Sequence, residues 1–373
     1  MKQFIKILFL LLITLGGYLV YHISEKPTNI FPFPYILDKT KIKDSVKAQN
    51  SDVLIIGDRM ALNLNVVMES MVKESSPGFS QKLKIYNWGV ENEGLHRTLK
   101  KLKSLKTVPE LVIYHGASQE FFEKKFYLAE RDNLNKNLKK YGDRKIMSSI
   151  LFYPPLSKYF YSYDEYMILG ERPIEDIREL PAVKKQIQLA MSYKIFQGEL
   201  EELLRLSKAK RFKLFLMTVP LNLNIPPKET CINSISPTLS KEHQRLEKMI
   251  KEGKTKEAFS ELNKLGQSVP ENARNYFLLG LSLKSMGKFQ EARAVLEQGT
   301  AFDCFSWRGN IIFNNIIRNT AYLKNIPLID FDQIVNQHFG HKQLFKNEIF
   351  PLHELYKLVV EKLAKKINRF YKD

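Results

Sequence analysis

Short, fully apolar runs recur along the chain and are separated by longer stretches with helical spacing. The most compact is Val53-Leu54-Ile55-Ile56, flanked by Ser51-Asp52 and closed by Gly57-Asp58. A run of this length, rich in β-branched residues and ending at glycine, predicts a strand buried on both faces. Similar strands are expected at Lys82–Tyr86, Leu111–Tyr114, Lys213–Val219 and Ile326–Ile329. Helical spacing predicts helices over Leu62–Glu74, Leu95–Leu105, Tyr193–Ala209, Asn310–Leu323 and Leu355–Phe370. The last should present Leu355, Leu358, Val359, Leu363 and Ile367 on one apolar face. Residues 122–194 are aromatic and charged, and suggest helices laid over a sheet. Alternating strands and helices imply βαβ units and a parallel sheet of about five strands.

The N-terminus follows a different pattern. Lys2 and Lys6 precede the apolar run Ile7–Val20, extendable to Ile23, with no small-x-small cleavage site after it. This predicts an uncleaved signal anchor over residues 1–26, short for a spanning helix, with cleavage near Tyr18–Ser24 as the alternative. Pro27, Pro32 and Pro34 then make residues 27–50 an extended tether. The expected location is an inner membrane, single-pass, with the body exported. The chain has 373 residues, enough for one large α/β domain and a smaller unit, and 24 Phe with 17 Tyr supply a core. A net charge of +18 favours anionic partners, such as an anionic glycan or small anion. Export argues against nucleic acid.

Between the fourth and fifth strands the pattern repeats. Gly253 and Gly287, Ala258 and Ala292, and Pro270 and Cys304 are each 34 residues apart (287 − 253). That period, with Gly, Ala and Pro at these phases, is similar to the tetratricopeptide repeat. Tyr276, Leu279, Gly280, Leu283, Phe289 and Leu296 fit the second unit, and the first matches only in its second helix. Two units are too few to stand alone, so residues 236–306 are expected to be an insertion packed on its host, offering a surface to a partner protein. Cys231 and Cys304 flank this insertion. A disulfide between them would close a loop of about 70 residues in an oxidising compartment, worth roughly 3–4.5 kcal/mol.

Four blocks together resemble the SGNH (GDSL-type) hydrolase family, over about residues 50–125 and 210–370. They are Gly57-Asp58-Arg59, Asn87-Trp88-Gly89, Gly116-Ala117-Ser118-Gln119 and Leu344-Phe345-Lys346-Asn347-Glu348-Ile349-Phe350-Pro351. Thr218 to Leu223, Asp303 to Arg308 and Asn314 to Arg318 are similar to segments around the insertion in a subgroup carrying tetratricopeptide repeats. The resemblance implies a three-layer, flavodoxin-like domain split into 51–235 and 307–373, with no cofactor and no metal. It also implies a serine at position 59, an aspartate at 347 and a histidine at 350, where this chain has Arg59, Asn347 and Phe350. An arginine stays protonated and cannot attack a carbonyl. The family's oxyanion hole would fall on Gly89 and on Ser118 or Gln119, with Asp58 and Gly116 lining the cleft. The expectation is a non-catalytic binding or scaffold protein of the envelope, whose cleft, lined by Arg59, binds an anionic group or nothing, in a pathway such as surface glycan acylation. The alternative is an esterase or acyltransferase with a rearranged site.

Other residues could rebuild such a site. His353 lies three residues beyond the expected base, and Asp330 or Asp332 could orient it. Ser118, in Gly116-Ala117-Ser118-Gln119-Glu120, is similar to a nucleophile elbow lacking its last glycine. His338 and His341 have the spacing of a helical metal pair, but Gly340 between them favours a loop. His115 is expected at a strand end, and Asp58 or Glu120 could close Arg59 off by an ion pair.

Overall fold

A computed structural model describes residues 2–24, 44–67, 83–120, 123, 131–141, 144–152, 159–160, 182–228, 236–303 and 308–372. The chain begins with α1 (Lys2–Ser24), α2 (Ser45–Gln49), β1 (Val53–Gly57), α3 (Arg59–Asn63), β2 (Ile85–Asn87), α4 (Leu95–Ser104) and β3 (Leu111–His115). After these come α5 (Arg131–Tyr141), α6 (Lys145–Phe152), α7 (Ala182–Lys210) and β4 (Lys213–Met217). Four helices follow: α8 (Pro237–Lys251), α9 (Thr255–Ser268), α10 (Ala273–Ser285) and α11 (Phe289–Ala301). The chain closes with α12 (Ile311–Lys324), β5 (Leu328–Ile329), α13 (Phe331–Asn336) and α14 (His353–Lys372).

The five strands form one parallel sheet in the order β2-β1-β3-β4-β5. This is the doubly wound order of flavodoxin-like folds, whose sites lie beyond the carboxyl ends of the strands. Residues of β1 point alternately to two cores, as a strand's period of two requires. Val53 and Ile55 join Leu111, Ile113, Phe215 and Met217 against α14 and the hairpin helices. Leu54 and Ile56 join Val112, Tyr114, Leu214 and Leu216 against α4, α7 and α12. The sheet is therefore the middle of three layers.

Helices α8–α11 are two helical hairpins whose turns are Gly253 and Gly287, with φ of +85° and +76°. Only glycine enters that region freely, which is why it recurs at the hairpin period. Ala258 and Ala292 are fully buried at equivalent places. A side chain on Gly280 would put its Cβ 2.4 Å from Leu296 Cγ, so this helix pair packs at a distance only glycine allows. The apolar cluster runs without a break from the sheet through these hairpins.

Several boundaries differ from expectation. The helix expected over Leu62–Glu74 begins at Arg59, because the Asp58 side chain caps it, and a 3₁₀ turn (Leu64–Val67) follows Asn63. Residues 68–82 are outside the described residues. β5 starts at Leu328 because Asn325 ends α12 in the left-handed conformation and diverts the chain. Leu358 is partly exposed, and the buried face of α14 is Leu355, Val359, Val360, Leu363 and Ile367. The N-terminal run forms one helix, but no helix among the described residues is long and apolar enough to cross a membrane. From Ile7 to Val20, α1 rises about 21 Å, against a hydrocarbon core of about 30 Å. Both cysteines, and so the candidate disulfide, lie outside the described residues.

Candidate functional site

Gly57 ends β1 opposite His115, the last residue of β3. Its φ is +133°, and a Cβ there would lie 2.1 Å from the His115 carbonyl oxygen, so no other residue fits. This turn delivers Asp58 and Arg59 to the carboxyl edge of the sheet.

Asp58 is almost fully buried, and its carboxylate has three donors. The Met60 N–H donates to Oδ1 at 2.8 Å, the N-cap bond of α3. The Ser118 N–H donates to Oδ2 at 2.7 Å, and the Ser118 hydroxyl donates to the same oxygen at 2.8 Å. Ala117, at φ +86°, turns the chain so that both groups of Ser118 face Asp58. Burial pushes the Asp58 carboxyl above its ordinary value, while the bonds from Met60 and Ser118 and the Arg59 charge pull the other way. Ser118 is thus a clamp between two strand ends. Its hydroxyl is bonded to a buried acid, and its carbonyl accepts a bond from Gln119 Nε2 at 3.0 Å.

Arg59, at the expected nucleophile position, starts α3 and is only 8 % exposed. Burial lowers its pKa, and the charges of Asp58 and then Glu91 offset this. Glu120 Oε1 accepts the Leu95 N–H at 2.8 Å at the start of α4. Glu123 beside it accepts the Gly94 N–H at 3.1 Å and Arg97 Nε at 2.8 Å. Two carboxylates at a helix N-terminus meet free N–H groups and the positive end of the helix dipole.

The residues expected to form an oxyanion hole or line the cleft have other contacts. The Gly89 N–H donates to Asn87 Oδ1 at 3.0 Å, and Asn87 Nδ2 donates to the Ala61 carbonyl at 2.6 Å. Gly89 also packs tightly under α3, where a Cβ would sit 2.8 Å from Leu62 N. Gly116 holds a close approach to the Tyr114 hydroxyl, where a Cβ would lie 2.8 Å away.

Asn347 and Phe350 belong to a small loop closed by the Phe345–Pro351 bridge. Asn347 Oδ1 accepts the N–H groups of Ile349 at 3.0 Å and Phe350 at 2.8 Å, so the side chain caps its own turn. The Asn347 carbonyl accepts Asn222 Nδ2 at 3.0 Å, which ties the loop to the segment after β4. His353 is exposed at the first turn of α14. The acids proposed to orient it are engaged elsewhere, because Arg318 reaches Asp330 at 2.8 Å and Asp332 at 2.7 Å. Burial alone would raise Asp330, but Arg318 outweighs it and the group is lowered; Asp332, deeper, is raised by burial. His338 lies beyond the end of α13 and His341 packs edge-on to Phe289 at 5.2 Å. Among the described residues no three His, Cys, Asp or Glu side chains could together hold a metal ion.

Sequence reasoning missed two arrangements. The first is a buried group below Trp88. Lys101 Nζ donates to the Trp88 carbonyl at 2.6 Å and to Glu93 Oε2 at 3.1 Å, and it lies 4.6 Å from the Trp88 ring centroid. The Thr98 hydroxyl donates to Glu93 Oε1 at 2.7 Å. Burial lowers Lys101 and raises Glu93, and each partner charge opposes the shift. The second arrangement holds the chain after β4. Asn314 accepts the Val219 N–H at 2.9 Å and donates to the Val219 carbonyl at 2.7 Å, while the Leu221 N–H donates to Asp332 at 3.0 Å. Arg308 donates to the Asn222 and Ile225 carbonyls. An irregular buried segment needs side chains to satisfy its backbone, and these supply them.

His115 is another titratable group at this edge. It is fully buried, neither ring nitrogen meets a partner at hydrogen-bond geometry among the described residues, and its ring lies 5.7 Å from Phe331. Burial pushes its pKa down to about 3, with a weaker opposing pull from the Met217 backbone. The unfolded chain binds a proton near the ordinary value of 6.5 and the folded one does not, so stability falls as pH drops from 6.5 towards 3. The expected loss from this group is about 1.4 kcal/mol per pH unit, or about 2 kcal/mol between about pH 7.5 and about pH 5. In urea titrations across that range, His115→Leu should have a shallower pH slope by this amount. Equal slopes in both proteins would refute the assignment.

No family model matches the chain, and no curated protein matches it. Solved structures with a similar backbone include a GDSL-like lipase from Bacteroides thetaiotaomicron VPI-5482. Its TM-score is 0.39 at 11 % identity, over 89 % of this chain and 97 % of the lipase. Another is a protein assigned as an acylhydrolase from Bacteroides fragilis NCTC 9343. Its TM-score is 0.37 at 11 % identity, over 88 % of this chain and 94 % of that one.

Proposed function

We propose that this chain is an SGNH-hydrolase-like protein that has lost catalysis and serves as a binding or scaffold component at a cell envelope. The observation that carries this reading is the state of the edge where the family places its triad. A buried arginine stands at the nucleophile position, balanced by Asp58 and Glu91. Asn347 caps its own turn, and Phe350 offers no base. The Gly89 N–H, an oxyanion donor in the family, is bonded to Asn87. Among the described residues nothing at this edge combines a nucleophile, a base and a free donor pair, which acyl transfer needs. Arg59 closes the cleft in this reading, and an anion would have to displace Glu91 or Asp58 to reach it.

The exposed apolar length of α1 attaches the protein to a membrane, with Lys2 and Lys6 on the inner side and the body exported. A helix this short crosses only where the bilayer thins. The two hairpins α8–α11 act as a tetratricopeptide-like unit that presents a surface to a partner protein. Surface glycan acylation is the pathway class in which such a component would serve.

Ser118 is the serine that a rearranged esterase would use, so a fluorophosphonate probe tests the reading. It should leave the full-length protein unlabelled, because the Ser118 hydroxyl is buried and bonded to Asp58. Labelling lost in Ser118→Ala would reverse the conclusion. Proteolysis of intact spheroplasts tests the topology: the body should be degraded, and full protection would contradict export.

A further inference from the structure

Helix α1 exposes large apolar side chains from Phe4, Ile7, Leu8 and Phe9 to Leu15, Tyr18 and Tyr21. A helix apolar all round belongs against lipid or in a protein core. Helix α1 packs against α6, and α6 carries Ile146 and Met147, 50 % and 39 % exposed. Its neighbour α5 buries Leu134 and Leu138 and leaves Lys136, Lys139 and Lys140 exposed. At the junction Lys140 Nζ lies 5.0 Å, and the Arg144 guanidinium 5.9 Å, from the Tyr141 ring centroid. Residues 131–152 carry six basic and two acidic side chains, a local charge of +4 (6 − 2). An apolar pair, a ring bracketed by cations and a basic flank make up the composition of a surface at the depth of lipid headgroups.

We propose that α5 and α6 form a second membrane contact beside α1. Ile146 and Met147 enter the boundary between headgroups and acyl chains, while Lys139, Lys140 and Arg144 meet anionic headgroups. The inference rests on membrane attachment through α1, and it adds that the folded body sits down on the bilayer instead of hanging from a tether. An anionic lipid surface is the occupant because the apolar patch is continuous with α1 and its flank is cationic. Each such cation near an anionic surface strengthens attachment, and added salt weakens it.

The test uses two tryptophan reporters in the full-length chain, Ile146→Trp on α6 and Phe9→Trp on α1. Each is reconstituted in phosphatidylglycerol–phosphatidylcholine vesicles containing lipids brominated near the headgroup or deep in the chains. With the wild-type emission subtracted, both reporters should be quenched, Ile146→Trp more by the shallow bromines. Its quenching should fall about twofold or more in pure phosphatidylcholine, or when Lys139, Lys140 and Arg144 are all changed to Glu. Quenching of Phe9→Trp without Ile146→Trp would overturn the second contact and leave attachment through α1 intact. Quenching of neither would overturn the attachment itself. A signal from Ile146→Trp indifferent to lipid charge would overturn the role given to the cations.

Discussion

Lys101→Met is expected to destabilise the protein by about 3–5 kcal/mol, the range for breaking one side of a buried ion pair. The lysine is 3 % exposed and bonds both Glu93 and the Trp88 carbonyl. Methionine matches its volume, so the loss comes from leaving the Glu93 carboxylate and a carbonyl buried without their cation. Part of this should return in the double change Lys101→Met, Glu93→Gln, which removes the stranded charge while Thr98 keeps a partner. Denaturant titration of the wild-type protein, Lys101→Met, Glu93→Gln and the double variant measures it. A loss below about 1 kcal/mol for the single change would show that the pair is solvated in solution.

The second large effect is at Asp58. Asp58→Ala strands the Met60 N–H and both donors of Ser118, in a place where water has little access. Each buried unsatisfied donor costs about 1–3 kcal/mol, so a total of about 3–9 kcal/mol is expected for the three. Ser118→Ala removes one hydroxyl and leaves the N–H bond in place, and should cost about 1 kcal/mol. This ratio separates a clamp from a nucleophile. A catalytic Ser118 would show the reverse pattern, little change in stability and a total loss of activity. Thermal unfolding of the two variants, set beside the fluorophosphonate probe, decides between them.

How much of this could be read from residue order depends on the residue. The strands were legible because runs such as Val53–Ile56 and Leu111–Tyr114 have no other physical use than a doubly buried strand. The hairpin period was legible through Gly253 and Gly287, where backbone conformation restricts residue choice. The end of a strand was harder. Asp58 was read as part of a cleft, and the role of its carboxylate as a helix cap depends on Ser118, sixty residues later. Glu120 was offered as a partner for Arg59, and nothing local indicates that it reaches the N-terminus of α4. Asp330 and Asp332 looked like free acids beside a histidine because the position of Arg318 in space cannot be read from its spacing. Lys101 went unremarked because a lysine in a basic amphipathic helix ordinarily faces solvent. Side chains that satisfy a buried backbone look like surface residues until the fold brings their partners to them.

The central claim, that the carboxyl edge of this sheet no longer cleaves esters, is tested most directly by hydrolysis of a chromogenic acetyl ester. The full-length protein should release product no faster than buffer with the heat-denatured protein. Arg59→Ser, Asn347→Asp and Phe350→His in combination should remain near that background, because the Gly89 N–H stays bonded to Asn87 and the oxyanion lacks its donor pair. Turnover by the wild-type chain that disappears in Ser118→Ala or His353→Ala would contradict the account and make this protein an enzyme with a rearranged site.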